Sequence, residues 1–395
     1  MSGESEEVKK NTILYFNLFT WLGGGEYSVF HLAKNLNRSK YHPLMLFNKD
    51  GPFVEKVKTA GIETVIIPFA VAKPISLLKP QNIIRNWKAS LKILNLIRDR
   101  RIDIVQCSDV YALLLLIPSL LRSRFRVIYN VIIFYSLLRY WFFNILALLF
   151  INRIVVNSTA VKNDLVNKTI GLPQIASVAH NGVDTSLFYP RSVGEITKII
   201  SKLGIPTDKK IIGLIGRYEV WKGHLTFLDA AKRLLQNRND LYFLIVGGAI
   251  TSEVAPAVSR YKQKVIRRID ELMLQPSIMC CDHRDDIPEI MAALDVCVCP
   301  SDYEPYGLVL LEAYVSGVPV VASSTVGALE VLPEKQGVFV AEPMNPDSFV
   351  REINNALCFD RTILTNQGGI KSSDQFSWQT YTQTFEDLYE KVKRT

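Results

Sequence analysis

Short apolar runs alternate with amphipathic stretches along the chain, and they fall into two series. The first series contains TILYFNLF, HPLMLFN, ETVIIPF, DIVQCS, RVIYNVII and RIVVNS, and the second contains KIIGLIG, LYFLIVGG, SIMCC, VCVCPS and VPVVAS. Runs of this kind separated by helical patterns predict parallel strands joined by crossover helices. Between the series, FYPRSVGE carries proline, glycine and charge, so Phe188–Lys198 reads as a break. The expectation is an α/β protein of two facing, doubly wound domains over 1–190 and 191–375, with 376–395 as a closing helical segment. At 395 residues the chain also exceeds what one hydrophobic core organises. Open parallel sheets bind ligands beyond the carboxyl ends of their strands, so the loops that follow the strands should carry the chemistry.

Two apolar segments leave their surroundings open. VIIFYSLLRYWFFNILALLFI, Val131–Ile151, is long enough to cross a bilayer. Arg139 near its centre would cost roughly 2.5–3.5 kcal/mol there. The same letters divide more naturally into the end of a strand, a helix over Leu137–Phe150, and then the strand RIVVNS. That helix is either a core helix or one that dips into a membrane surface. From Pro80 to Arg101, Ile83, Ile84, Trp87, Leu91 and Leu94 recur at helical spacing, with Arg85, Lys88 and Lys92 off the stripe. The stripe is expected to pack into the core, leaving the basic side open to a membrane.

The net charge of +8 is unevenly placed. Residues 1–190 hold 23 Lys and Arg against 12 Asp and Glu, so the first half is net +11 and the remainder net −3. No acid lies between Thr64 and Arg98, where Lys73, Lys79, Arg85, Lys88, Lys92 and Arg98 all occur. The first half is therefore suited to an anionic partner such as phospholipid headgroups, unless it is simply a solvated basic face. Nucleic acid fits poorly, because the cations are not interleaved with stacking aromatics or set in a reader motif. The six cysteines form no C-x-x-C pair and no zinc spacing with histidine, so a reducing cytoplasm is expected. The polar N-terminus, MSGESEEVKK, reads as no signal peptide.

Four places carry candidate chemistry. Gly23, Gly24 and Gly25 follow the first strand and precede an amphipathic helix, where backbone N–H groups can approach a phosphate. A plain glycine turn is the alternative, and the pattern is not the G-x-G-x-x-G of a dinucleotide site. In IIGLIGRYEVWKGH, Arg217 and Lys222 stand in the loop leaving a strand, as a solvated basic loop or as two fixed cations for a diphosphate. In SDYEPYGLVLLEAYVSGVPVV, Glu304 lies in a loop and Glu312 on a mainly apolar helix, with Gly307 near the helix start. Two carboxylates flanking a helix N-terminus suit one ligand with phosphate in the middle and hydroxyls at its ends. Asp109 follows DIVQCS, where it either caps a helix or faces the site.

On these stretches, together with HNGVDTSLFYP, ALDVCVCPSDYEPYGLVLLEAYVSGVPVVAS and the closing FSWQTYTQTFEDLYEKV, the chain resembles the retaining glycosyltransferases of family 4, which have the GT-B fold of two Rossmann-like domains. Agreement is dense from about Ile154 onward and thinner before it. The resemblance implies an acceptor-binding first domain, a donor-binding second domain and a final helix, Trp378–Lys391, crossing back to the first. It implies a nucleotide-sugar donor, UDP- or GDP-linked, and transfer with retention that needs no metal and no cofactor. Arg217 and Lys222 would hold the donor diphosphate as it leaves, and Glu304 would meet the transferred sugar. Glu312 would meet the ribose, and Tyr306, Gly307, Leu308, Gly23 and Gly24 would complete the donor contacts.

The sequence departs from its relatives on the acceptor side. Asn130 and Ile132 stand where many carry a histidine, and Gln106 replaces another histidine. His180 stands where proline is usual and reads as structural. Asp109 and Asn130 are the remaining acceptor-side candidates. With the basic first half, the expected acceptor is a lipid-linked or cell-surface glycan, and the expected location is the cytoplasm or the cytoplasmic face of a membrane. A GT-B epimerase or phosphorylase and a non-catalytic nucleotide-sugar-binding protein are the competing readings.

Overall fold

The computed structural model describes residues 10–18, 20, 23–70, 79–134, 136–248, 255–333, 336–365 and 373–394. The chain forms two compact units, residues 1–179 with 381–395, and residues 180–380.

In the first unit a seven-stranded parallel sheet has the order β3-β2-β1-β4-β5-β6-β7. Its strands are β1 Asn11–Phe16, β2 Tyr41–Phe47, β3 Glu63–Ile66, β4 Ile104–Cys107, β5 Arg126–Val131, β6 Arg153–Val156 and β7 Ala176–Val178. Helices α1 (Gly24–Asn35) and α2 (Pro52–Thr59) carry the chain outward from β1 to β3. Helix α3 (Pro80–Asp99) returns it to β4, and α4 (Val110–Leu120), α5 (Leu137–Phe150) and α6 (Thr159–Lys168) carry it to the other edge. Right-handed crossovers therefore place α1 and α2 on one face and α3 to α6 on the other. Alternation along β1 fits this: Leu14 and Phe16 join the core that contains Ile93, Ile97, Leu113 and Phe143. Tyr15 points the other way, and its hydroxyl lies 3.0 Å from that of Tyr389.

In the second unit a six-stranded parallel sheet has the order β10-β9-β8-β11-β12-β13. It comprises β8 Lys210–Ile215, β9 Leu241–Val246, β10 Ile278–Cys281, β11 Val296–Cys299, β12 Val320–Ser323 and β13 Val338–Ala341. Helices α7 (Val193–Leu203), α8 (His224–Leu235), α9 (Ala255–Glu271), α10 (Ile287–Ala293), α11 (Leu308–Val315) and α12 (Pro346–Leu357) pack around it. Ser192 and Glu195 cap α7 reciprocally, so the S-x-x-E within FYPRSVGE starts a helix. The last helix, α13 (Trp378–Arg394), begins at the end of this unit and continues within the first, where Glu386 accepts from the Asn37 N–H at 2.7 Å.

Every predicted strand is present, and two that the pattern did not show, β7 and β13, complete the sheet edges. The apolar stretch 131–151 divides as expected into the end of β5, α5 and the approach to β6. Among the described residues no helix is long and apolar enough to cross a membrane. Helix α3 corrects the expected core stripe. Of Ile83, Ile84, Trp87, Leu91 and Leu94 only Leu94 is buried, while Trp87 is 57% exposed. The buried face is Ala89, Ser90, Ile93, Leu94 and Ile97, rotated away from the sequence stripe. Two hydrogen bonds of Asn86 hold the helix in this rotation: its Oδ1 accepts from the Ala70 N–H at 2.8 Å and its Nδ2 donates to Tyr111 Oη, whose hydroxyl in turn donates to the Ala70 carbonyl. Lys73 and the side chain of Arg139 lie outside the described residues.

Candidate active site

In the second unit the strand order reverses at β8, which lies between β9 and β11. Loops leaving β8 and β11 diverge at such a point and open a crevice at the carboxyl edge of the sheet. Gly223 closes the first loop with φ +71°, and a Cβ there would lie 1.9 Å from the Pro300 carbonyl oxygen in the second. Only glycine permits both the left-handed backbone and that approach. The result is that Lys222 lands beside the second loop, with its Nζ 2.5 Å from Glu304 Oε2.

The pair is well enclosed, at 17% and 10% side-chain exposure. Ser301 Oγ donates to the same carboxylate oxygen at 3.3 Å. The Glu304 backbone is fixed as well, since its carbonyl accepts from the Gly327 N–H at 3.0 Å. The Lys222 ammonium lies 4.2 Å from the centre of the Trp221 ring, which stacks on Tyr303 at 5.5 Å. A lysine held between a carboxylate and an aromatic face keeps N–H donors for an anion, while the carboxylate keeps acceptor positions for hydroxyls.

Arg217 is on the same loop as Lys222, but its Nη1 pairs with Glu219 Oε1 at 3.2 Å. Gly307, with φ +93°, caps α11, and a Cβ there would press within 2.8 Å of Val326 Cγ1. Leu308 opens α11, where the first N–H groups have no intrahelical acceptor. Tyr306 is buried and donates its hydroxyl to the Asn181 carbonyl at 2.9 Å, so it anchors the loop. Glu312, one turn along α11, is half-buried, and none of the described residues hydrogen-bonds to its carboxyl. Burial pushes that carboxyl up to about 7.

The first unit's candidates lie beyond the carboxyl ends of β1 and β4 and near the end of β5, around that sheet's own reversal point. Gly23 precedes α1 with extended backbone, and a Cβ on Gly24 would meet nothing within 4 Å. Asp109 caps α4, accepting from the Tyr111 N–H at 2.7 Å. Asn130 is buried on β5, and its Oδ1 has no hydrogen-bond partner among the described residues. Gln106 is engaged elsewhere, since its Oε1 accepts from Tyr389 Oη at 2.5 Å. His180 lies 3.1 Å from Glu330 and stacks on Tyr306, a structural setting.

Sequence reasoning passed over Ser301, Trp221 and Tyr303, which shape the Lys222–Glu304 pair. Trp221 stands next to Lys222 in the chain, but nothing local shows that its ring faces the ammonium. It also passed over His224, which is wholly buried after Gly223 and stacks on Tyr218 at 4.9 Å. Burial lowers its imidazole to about 3, with the nearby Lys222 charge adding to the effect. Cys297 and Cys299 are buried in β11, and burial raises both thiols, so they serve as packing residues. Among the described residues no group of His, Cys, Asp and Glu is arranged to hold a metal.

Comparison with known proteins places the sequence and fold in a family. The family described as glycosyl transferases group 1 matches residues 195–360, and glycosyltransferase family 4 matches residues 22–187. Alpha-maltose-1-phosphate synthase of Mycobacterium tuberculosis is 30% identical over 62% of this chain and 65% of its own length. D-inositol 3-phosphate glycosyltransferase of Corynebacterium kroppenstedtii is 26% identical over 62% of this chain and 54% of its own. The chain thus spans less than two thirds of the length of these relatives. Anabaena HepE, solved with UDP and glucose, superposes with a TM-score of 0.81 at 22% identity, covering 96% of this chain and all of that one. WaaG, a glycosyltransferase involved in lipopolysaccharide biosynthesis, superposes with a TM-score of 0.69 at 15% identity, over 95% of this chain and 99% of that one. Two parallel α/β units, the Lys222–Glu304 site and family matches over most of the sequence lead to one conclusion: the chain belongs to the group 1, family 4 glycosyltransferases and has the GT-B fold.

Proposed function

We propose that the protein transfers a sugar from a nucleoside-diphosphate sugar to a hydroxyl acceptor, with retention of anomeric configuration and without a metal. The observation that carries the reading is the Lys222–Glu304 contact across the reversal point of the second sheet. Lys222 and Arg217 meet the diphosphate, so the charge that develops as it leaves is offset by fixed cations. The N–H of Leu308 and the dipole of α11 add to that field. Glu304 accepts from hydroxyls of the transferred sugar and is held in place by Lys222 and Ser301. Glu312 accepts from the ribose, and those hydrogen bonds supply what its half-buried carboxyl otherwise lacks. The acceptor hydroxyl then attacks on the face that the diphosphate vacates.

The donor class is supported by HepE, whose structures hold UDP and UDP-glucose. A glycan or glycolipid acceptor is supported by the basic first half and by WaaG's place in lipopolysaccharide biosynthesis. A non-catalytic sugar-nucleotide binder is the second reading, favoured by the absence of a histidine at positions 130 and 132.

The test is donor turnover, by hydrolysis or transfer, against a panel of UDP- and GDP-sugars in the presence of EDTA. Glu304→Gln and Lys222→Met should each lower turnover by about 100-fold or more, the scale of losing one preorganised transition-state contact. Near-normal turnover in either variant would remove the assignment. Tight donor binding with neither transfer nor hydrolysis would establish the second reading.

A further inference from the structure

We infer that α3 and α5 form a docking face for an anionic lipid bilayer. Ten of the 24 large apolar side chains exposed among the described residues lie on α3, α4 and α5. These helices lie on one face of the first sheet, where α4 packs against both α3 and α5. On α5 every exposed side chain that is described is apolar, including Trp141 at 64% and Leu149 at 67%. On α3, Ile83, Ile84 and Trp87 alternate with Arg85 and Lys88 on exposed positions. The three helices contain no acid except Asp99, at the last position of α3.

The charge decides between occupants. A second copy of the chain, docked through a two-fold axis, would set the same face against itself and bring Arg85, Lys88 and Lys92 opposite their own counterparts. A bilayer with anionic headgroups meets both properties at once, taking the aromatic and aliphatic side chains at the headgroup boundary and pairing with the cations. Helices α3 and α5 follow β3 and β5, so both start on the carboxyl side of the sheet, the side on which Asp109 caps α4. Docking there brings that edge to the lipid surface. The inference deepens the glycolipid-acceptor reading and rests on it only for that last step.

The experiment is vesicle flotation of the full chain, without donor or acceptor, on phosphatidylcholine with and without phosphatidylglycerol. The protein should float with anionic vesicles, and less as salt is raised. The triple variant R85E/K88E/K92E should lose nearly all binding. Each single neutralisation should lower partitioning roughly fivefold, the factor that about 1 kcal/mol per Lys or Arg near an anionic surface corresponds to. Trp87→Ser with Trp141→Ser should weaken binding to anionic vesicles, and quenching of wild-type tryptophan fluorescence by brominated lipid should locate the rings. These side chains are exposed, so the variants should keep the wild-type melting temperature. No flotation on anionic vesicles, or flotation untouched by both sets of variants, would overturn the inference. So would a concentration-dependent dimer abolished by the same substitutions. Because no sugar is transferred in this assay, its outcome is independent of the turnover test.

Discussion

Glu312→Gln should make the protein more stable at alkaline pH while weakening donor binding. The wild-type carboxyl is raised from 4.5 to about 7 by burial. Below about pH 4.5 it is protonated in both folded and unfolded chains and costs nothing. As pH rises from about 4.5 to 7 the unfolded chain ionises while the folded carboxyl stays protonated, so stability falls across that window and the full loss is present above about pH 7. At about 1.4 kcal/mol per unit the ceiling is about 3 kcal/mol. Half-burial leaves some water at the carboxylate, so about 2 kcal/mol is the expected gain of the glutamine variant between pH 5 and pH 8. For a unit of this size that is a relative shift in melting temperature of about 4–8 °C.

The assay is calorimetric unfolding of both proteins at the two pH values without ligand. His224, lowered to about 3, gives a slope of the opposite sign below pH 6.5, where the unfolded chain takes up a proton that the fold refuses. It contributes equally to both proteins, so the difference between them isolates Glu312. Isothermal titration with donor supplies the second arm. Hydrogen bonds from ribose hydroxyls favour the carboxylate, so wild-type affinity should climb with pH up to about 7 and then level off. The variant should bind more weakly with no such climb. Parallel pH profiles for the two proteins would refute the claim that Glu312 is an unsatisfied carboxyl waiting for a ligand.

Other perturbations test the neighbouring geometry. Gly223→Ala adds a Cβ against the Pro300 carbonyl at a left-handed position, so it should cost at least the roughly 1–2 kcal/mol of the backbone alone and also lower donor affinity, read by thermal unfolding with and without nucleotide. Trp221→Leu removes the aromatic face from Lys222, an interaction of about 0.5–2 kcal/mol, and should raise the donor KM several-fold, with Trp221→Phe restoring most of it. Tyr389→Phe leaves Gln106 and Tyr15 without their shared hydroxyl. It should destabilise the first unit by about 1–3 kcal/mol without changing donor affinity, measured by denaturant unfolding and titration.

Much of the protein follows from the sequence alone. Eleven apolar runs announce eleven strands because a parallel strand buried on both faces is apolar throughout, and the eye needs only a run of four or more. Strands β7 and β13 escaped because edge strands of three and four residues, with half-buried positions, carry too few letters to form a pattern. Glu304, Glu312 and the GRYEVWKGH loop could be singled out as candidates because charged residues next to apolar strand ends stand out in the sequence.

What the sequence could not supply is direction. Helical periodicity shows that α3 has an apolar stripe, yet the anchors of Asn86 on Ala70 and Tyr111, contributed by distant segments, rotate that stripe outward. The pairing of Lys222 with Glu304, 82 positions apart, likewise depends on two loops meeting where the strand order reverses. Whether Glu312 is an ordinary acid or one raised to about 7 depends on what surrounds its helix rather than on its neighbours in the chain. Composition and period are local properties, so the sequence by itself determined elements, fold class and the residue types of the site. Burial, contact and charge environment are set by segments far apart in the chain, and those were decided only by the tertiary structure.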